Sequence, residues 1–234
     1  MHRRELLQGA AVASIALFGL TGGGIAGARE PIKLKEKNIR VAFMIGARTN
    51  VIDLAGAWEV FADTMPPTAD GSMAMPFVNY TVAPTRAAQE TEGGLLIMPN
   101  YAIDDAPQPH VIVVPAHQST AESLAWLKEA SKGTDVTMSV CTGAFQLGKA
   151  GLLDGLKATT HHDSWDDFAS TFPKVTLERG VRFVDNGHIA TAAGLTSGID
   201  LALHVVARYY GADVAATTAK FMEYSSTRWQ GDGV

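Results

Sequence analysis

"MSVCTGAFQLGKAG", Met138 to Gly151, carries the only cysteine of the chain at the junction of two patterns. The residues leading to it, "TDVTMSV" from Thr134, form a short apolar and β-branched run of the kind a buried parallel strand uses. Those that follow, "TGAFQLGKAG", read as a helix. A strand that becomes a helix at Cys141 exposes the sulfur on a tight turn, facing backbone N–H groups and the positive end of the helix dipole. A thiol so placed is expected to lose its proton more easily and to act as a nucleophile. The small Gly143 and Ala144 let that turn approach a substrate. Pattern alone leaves a second reading open, a structural cysteine packed as a small hydrophobe.

Working outward, the same alternation recurs. "NIRVAFMIG" (Asn38 to Gly46) and "PHVIVVPA" (Pro109 to Ala116) read as buried strands, and "PFVNYTVAP" and "GLLIMPN" as strands. In "VIDLAGAWEVFADTM", the spacing of Leu54, Ala57, Trp58 and Phe61 predicts an amphipathic helix, ended by Pro66-Pro67. "STAESLAWLKEASKG" predicts a helix capped by Ser119, and "DSWDDFASTF" a short one. Asn186-Gly187 marks a hairpin, and "TSGIDLALHVVARYYG" and "DVAATTAKFMEY" are closing helices. Strands alternating with helices predict one α/β domain, a three-layer sandwich around a mainly parallel open sheet. Ligands of such sheets bind beyond the carboxyl ends of the strands. Three segments fall there: Arg48 to Asp53, Ala116-His117, and Cys141.

With 47% hydrophobic and 18% charged residues in 234, the chain can bury a sizeable core. A formal net charge of −5, with no basic cluster beyond the extreme N-terminus, argues against nucleic acid as a partner. Residues 1–28 place Arg3-Arg4 before an apolar run and end in Ala26-Gly27-Ala28, the pattern of a cleaved twin-arginine-type signal. The run is short for a bilayer core of about 30 Å, so a periplasmic protein without a stable membrane anchor is expected. The expected organisation is signal 1–28, linker 29–37, domain 38–224 and C-terminal tail 225–234.

"VIDLAGAWEVF", "SVCTGAFQLGKAGLLDGLKATTHH" and "VDNGHIATAAGLTSGIDLALHVVARYYG", in that order, resemble the ThiJ/PfpI superfamily over roughly Asn38 to Tyr224. The fold this implies is flavodoxin-like, of the class I glutamine amidotransferase kind, with a nucleophile-elbow cysteine. The branch most similar is that of the isonitrile hydratases, followed by the amidase-like domains that precede AraC-type regulators. The resemblance implies that Cys141 is the nucleophile, Asp53 the acid facing it, and Thr142 the third member of a Cys-Thr-Asp set. His161 falls where other branches place a histidine near the thiol, and His162 stands in place of a common tryptophan. "VVPAHQS" departs from the usual Pro-Gly-Gly turn. Ala116 and His117 therefore occupy the expected oxyanion-hole position, where a residue needing positive φ would be strained. Gly143 and Gly194 complete the expected site. From the residues themselves, Asp53 also reads as a cap for a helix starting at Leu54, and Thr142 as a group satisfying the next helix.

The implied activity is a cofactor-independent, cysteine-dependent hydro-lyase converting an isonitrile to an N-substituted formamide. Alternatives are a redox or electrophile sensor or scavenger, and a non-catalytic small-molecule-binding domain. No cofactor and no metal are expected, since no Cys/His/Glu cluster has metal-site spacing. The resemblance further implies a homodimer, with Trp58 to Phe61 as a candidate contact.

Overall fold

The computed structural model describes residues 30–231. The expected signal at 1–28 lies outside the described residues. In chain order the first half comprises β1 (Ile39–Met44), α1 (Val51–Ala62), β2 (Phe77–Ala83), β3 (Gln89–Glu90), β4 (Leu96–Ile97), β5 (Tyr101–Ala102), β6 (Val111–Val114) and α2 (Ala121–Ser131). The second half comprises β7 (Val136–Val140), α3 (Gly143–Lys149), β8 (Lys157–Ala158), α4 (Trp165–Thr171), β9 (Thr176–Leu177), β10 (Phe183–Asp185), β11 (Ile189–Ala192), α5 (Ser197–Tyr210) and α6 (Ala212–Phe221).

Seven strands form one sheet in the order β10-β11-β7-β6-β1-β2-β5. Within it β10 alone is antiparallel, joined to β11 by the turn at Asn186-Gly187. The reason lies in the strand side chains, which alternate between two cores because successive residues of a strand face opposite ways. Val41, Phe43, Val111, Val113, Met138 and Val140 join α1, α5 and α6 in one core. Ala42, Met44, Ile112 and Val114 join Leu127 of α2, Leu147 of α3 and Phe168 of α4 in the other. Both faces are apolar, so helices must cover both, and a three-layer sandwich results.

Several local expectations change. "GLLIMPN" supplies no strand to the main sheet; its Leu96–Ile97 pairs with Gln89–Glu90 in a separate short hairpin. The cap of α2 is Thr120, one residue beyond Ser119, because Thr120 and Ser123 exchange side-chain and backbone bonds at 3.2 and 2.9 Å. A 3₁₀ turn at His162–Ser164 replaces the first turn expected of "DSWDDFASTF". Phe61 is 1% exposed and Trp58 packs on Phe43 with ring centroids 4.9 Å apart, so this part of α1 belongs to the core. The exposed apolar residues of α1 are Val51 and Ile52.

α3 sits hard against the end of β6. A Cβ built on Gly143 would lie 2.0 Å from the Val114 carbonyl oxygen, a backbone atom that cannot swing aside. Gly143→Ala should therefore destabilise the fold by about 2–4 kcal/mol, read as a fall in urea midpoint with the slope unchanged. A midpoint equal to that of the parent protein would show that α3 is free to move off β6.

Candidate active site

Adjacency in the sheet assembles the site. Strands β11, β7, β6 and β1 are successive neighbours and parallel, so the loops leaving their carboxyl ends emerge side by side. The chain runs from β1 to β2 on one side and reaches β6 on the other, which opens a crevice between β1 and β6. Asp53 lies beyond β1, Ala116-His117 beyond β6, Cys141 beyond β7, and Gly194-Leu195 beyond β11.

Cys141 takes a left-handed backbone conformation, φ 59°, rare for a residue with a side chain. Such a conformation persists where its surroundings over-determine it. Here the Cys141 N–H donates to the Ala193 carbonyl at 2.9 Å, and the Thr160 hydroxyl donates to the Cys141 carbonyl at 3.0 Å. The strand thus ends abruptly and the thiol is turned toward Asp53. The result is a strained strand-to-helix elbow of the kind that presents a nucleophile.

Asp53 does not cap its helix. α1 begins at Val51 after Asn50, which places Asp53 within the first turn, fully buried. The Ala116 N–H donates to Asp53 Oδ2 at 3.1 Å across the crevice. Oδ1 is buried without a well-formed hydrogen bond among the described residues; the Cys141 thiol and the Leu195 backbone are the other groups acting on this carboxylate. Burial raises the Asp53 pKa to about 6, against the pull of the Ala116, Cys141 and Leu195 donors.

The thiol departs from expectation. Cys141 is 7% exposed, and burial, then the negative charge of Asp53, push its pKa up to about 11. The N–H groups of Thr142 and Leu195 act on the sulfur in the opposite sense and are outweighed. The expected acidic thiol fails because α3 is only seven residues long and the sulfur shares a dry space with a carboxylate. At neutral pH the pair therefore holds its proton mainly on sulfur and its charge on Asp53.

The remaining expected residues divide. The Ala116 N–H is committed to Asp53, so it fixes the acid rather than a substrate oxygen. Neither Ala116 nor His117 takes positive φ, which removes the strain expected of the missing glycines. Burial lowers the His117 pKa to about 4, so the ring is neutral; its Nδ1–H donates to the Pro115 carbonyl at 2.8 Å, and Nε2 is buried without a partner among the described residues. The Gln146 amide donates to the His117 carbonyl and ties this turn to α3. Thr142 makes no side-chain cap bond; its N–H, not its hydroxyl, acts on the sulfur. Gly143 is dictated by the contact with β6. Gly194 lies under the His161 ring, where a Cβ would stand 2.3 Å from Cδ2. His161 thus buttresses the Gly194-Leu195 turn. Leu195, at φ 52°, was not singled out by sequence; the signal was the glycine before it. Thr160 and Ala193, which hold the elbow through single polar atoms, carry no sequence signature.

The structure thus defines an α/β protein with a buried cysteine–aspartate pair at the switch point of its sheet. Comparison with known proteins agrees: residues 39–208 match the DJ-1/PfpI family, and the chain belongs to it. It is 28% identical over 193 residues to the isonitrile hydratase of Pseudomonas putida, spanning 80% of this chain and 79% of that protein. It is also 27% identical over 144 residues to the HTH-type transcriptional regulator GbdR of Pseudomonas aeruginosa, covering 59% of this chain and 39% of the regulator. Among solved structures, a ThiJ/PfpI family protein from Pseudomonas syringae superposes with a TM-score of 0.70 at 25% identity, covering 90% of this chain and 83% of that one.

The shifted pair has two measurable consequences. Folding favours the protonated form of Asp53, since its pKa rises from 3.8 to about 6. The penalty is therefore absent below pH 3.8, grows as pH rises towards 6, and is complete above it. Asp53→Asn should accordingly stabilise the protein near neutral pH by about 1–3 kcal/mol, by chemical denaturation, with little effect in acid. A variant less stable than the parent at neutral pH would contradict the buried-charge account. Independently, alkylation of Cys141 by iodoacetamide should keep accelerating above pH 9 towards a midpoint near 11, and the midpoint should fall in Asp53→Asn. A rate already level below pH 8 would exclude the raised thiol.

Proposed function

We propose that the protein is a cofactor-independent hydro-lyase of the isonitrile hydratase type. The observation that carries this reading is the isolated pair of Cys141 and Asp53, two acidic groups sharing a buried space and one negative charge. A small neutral substrate with a reactive terminal carbon suits it, because a charged one would add a further desolvation cost. The similarity to the isonitrile hydratase over most of both chains supports the same choice.

The chemistry follows from where the proton rests. As the sulfur forms a bond to the terminal carbon of R–N≡C, the Asp53 carboxylate takes the thiol proton and passes it to that carbon, giving the thioimidate R–N=CH–S–Cys141. Asp53, again a carboxylate, then removes a proton from water as the water oxygen adds to the same carbon, and hands that proton to the nitrogen. It next takes the hydroxyl proton as the carbon–oxygen double bond forms and the C–S bond breaks, and returns it to the departing sulfur, releasing R–NH–CHO and the thiol. The sum is isonitrile plus water giving formamide. The N–H groups of Thr142 and Leu195 offset charge on sulfur as that bond forms and breaks. A pKa of about 6 lets Asp53 act in both directions near neutral pH.

A scavenger role is disfavoured by the same numbers, since a thiol 7% exposed with a pKa near 11 is a poor target for peroxide. Ligand sensing without turnover has one specific support, the similarity to part of a transcriptional regulator. In this reading the enzyme is exported and works as a homodimer. The support is the twin-arginine pattern of residues 1–28 and the exposed Val51, Ile52, Leu95, Leu96 and Met98. Sedimentation as a monomer at micromolar concentration would remove the dimer, and a protein retained in the cytoplasm on fractionation would remove the export.

The deciding experiment is conversion of a small alkyl isonitrile to its formamide, followed by chromatography. Cys141→Ala should abolish turnover, and Asp53→Asn should lower kcat by about 10²-fold or more while the protein stays folded. Saturable, stabilising binding with no product would establish the sensing reading instead.

A further inference from the structure

Beyond the elbow, at the turn that follows Thr160, three adjacent residues converge without being used by the chemistry above. The ligand-capable atoms of His161, His162 and Asp163 all lie within 4.8 Å of one another. The Asp163 carboxylate spans the two rings: Oδ1 is 3.1 Å from His162 Nε2, and Oδ2 is 3.8 Å from His161 Nδ1. A tetrahedral zinc ion with bonds of about 2.0–2.2 Å spaces its ligand atoms by roughly 3.3–3.6 Å, a range that the two carboxylate–imidazole distances bracket, and side-chain rotation brings the two rings to it.

We propose that His161, His162 and Asp163 form a binding site for one divalent transition-metal ion of the zinc class. The donor set is two imidazole nitrogens and one carboxylate oxygen, which suits zinc, nickel or copper and disfavours magnesium or calcium. Water fills the remaining positions, since His162 and Asp163 are exposed.

Two features orient the ligands before an ion arrives. His161 is wedged against Gly194, and its Nδ1 accepts the Asp163 N–H at 3.3 Å, so that nitrogen carries a lone pair. An ion displaces this long hydrogen bond. The His162 ring stacks on His161 with centroids 4.3 Å apart, and its other flank meets the edge of Trp165. Trp165 is itself tied back by its indole N–H, which donates to the Thr160 carbonyl at 3.2 Å. Binding requires both imidazoles neutral, so any proton on them is released to solvent as the ion enters. Beside the cluster, Asp166 holds Arg179, which lies over the Trp165 ring.

This site is separate from the cysteine–aspartate pair and does not depend on the hydratase reading. It touches that pair indirectly, because His161 supports the turn whose Leu195 N–H acts on Cys141.

The test is zinc titration of the full chain, purified without a histidine tag, by calorimetry and equilibrium dialysis near neutral pH. One ion per chain is expected, bound as tightly by Cys141→Ser as by the parent. Affinity should fall about tenfold or more in His162→Ala and in Asp163→Asn, both exposed positions whose thermal melting should match the parent. Cobalt loaded in place of zinc should show no thiolate charge-transfer absorption. No retained zinc at millimolar concentration would overturn the assignment, as would undiminished affinity in both variants. Loss of the ion in Cys141→Ser would place it on the thiol instead and equally overturn it.

Discussion

A single hydrogen bond across the sheet's switch point, from the Ala116 N–H to the Asp53 carboxylate, organises this molecule's reactive centre. It holds a charge-bearing group in the first turn of a helix, at full burial, where an unpaired carboxylate would otherwise take up a proton and lose its fixed position. The bond is possible only because β1 and β6 are parallel neighbours. Their departing chains diverge in sequence but stay close in space. The Cys141 thiol and the Leu195 backbone act on the same carboxylate.

The pair is electrostatically frustrated, and the surroundings keep it so. Burial penalises the charged form of each group, and a charge on one penalises a charge on the other. Short-range donors from Thr142 and Leu195 lessen the penalty without removing it. Two residues, Cys141 and Leu195, hold left-handed backbone angles that favour glycine, each on a loop leaving a central strand. Backbone strain and a suppressed thiol therefore coincide at one place, while the strands beneath it are regular and pack into two mainly apolar cores. Stability resides in the cores, and the local cost is confined to the loops.

Much of the fold was legible because burial on two faces leaves an unmistakable trace. "RVAFMI" and "VIVV" have no polar side, so they had to be central strands, and the helices between them carried apolar residues at helical spacing. Asn186-Gly187 announced the one antiparallel pair of the main sheet for the reason that such turns need positive φ, which Gly187 adopts. The strand expected at "GLLIMPN" forms, but as a two-residue ribbon outside the main sheet, where the surface also tolerates leucine. In the site, Cys141 was visible through its position between two patterns, and Asp53 through family resemblance. The ring of Thr160, Ala193 and Leu195 was invisible, since each contributes a single backbone or hydroxyl group that many residue types could supply. The thiol's acidity was misjudged in the same way: a helix start was read, but not the desolvation and neighbouring charge that outweigh it.

The sequence by itself determined the order of strands and helices, the apolar faces that force a three-layer sandwich, and the placing of one sulfur at a strand's end. These follow from periodicity, which is a property of neighbours along the chain. Only the tertiary structure decided that Ala116 serves Asp53, that His117 is neutral, and that the proton rests on sulfur. Those outcomes depend on solvent exclusion and on charges brought together from residues more than eighty positions apart, and no local pattern encodes either.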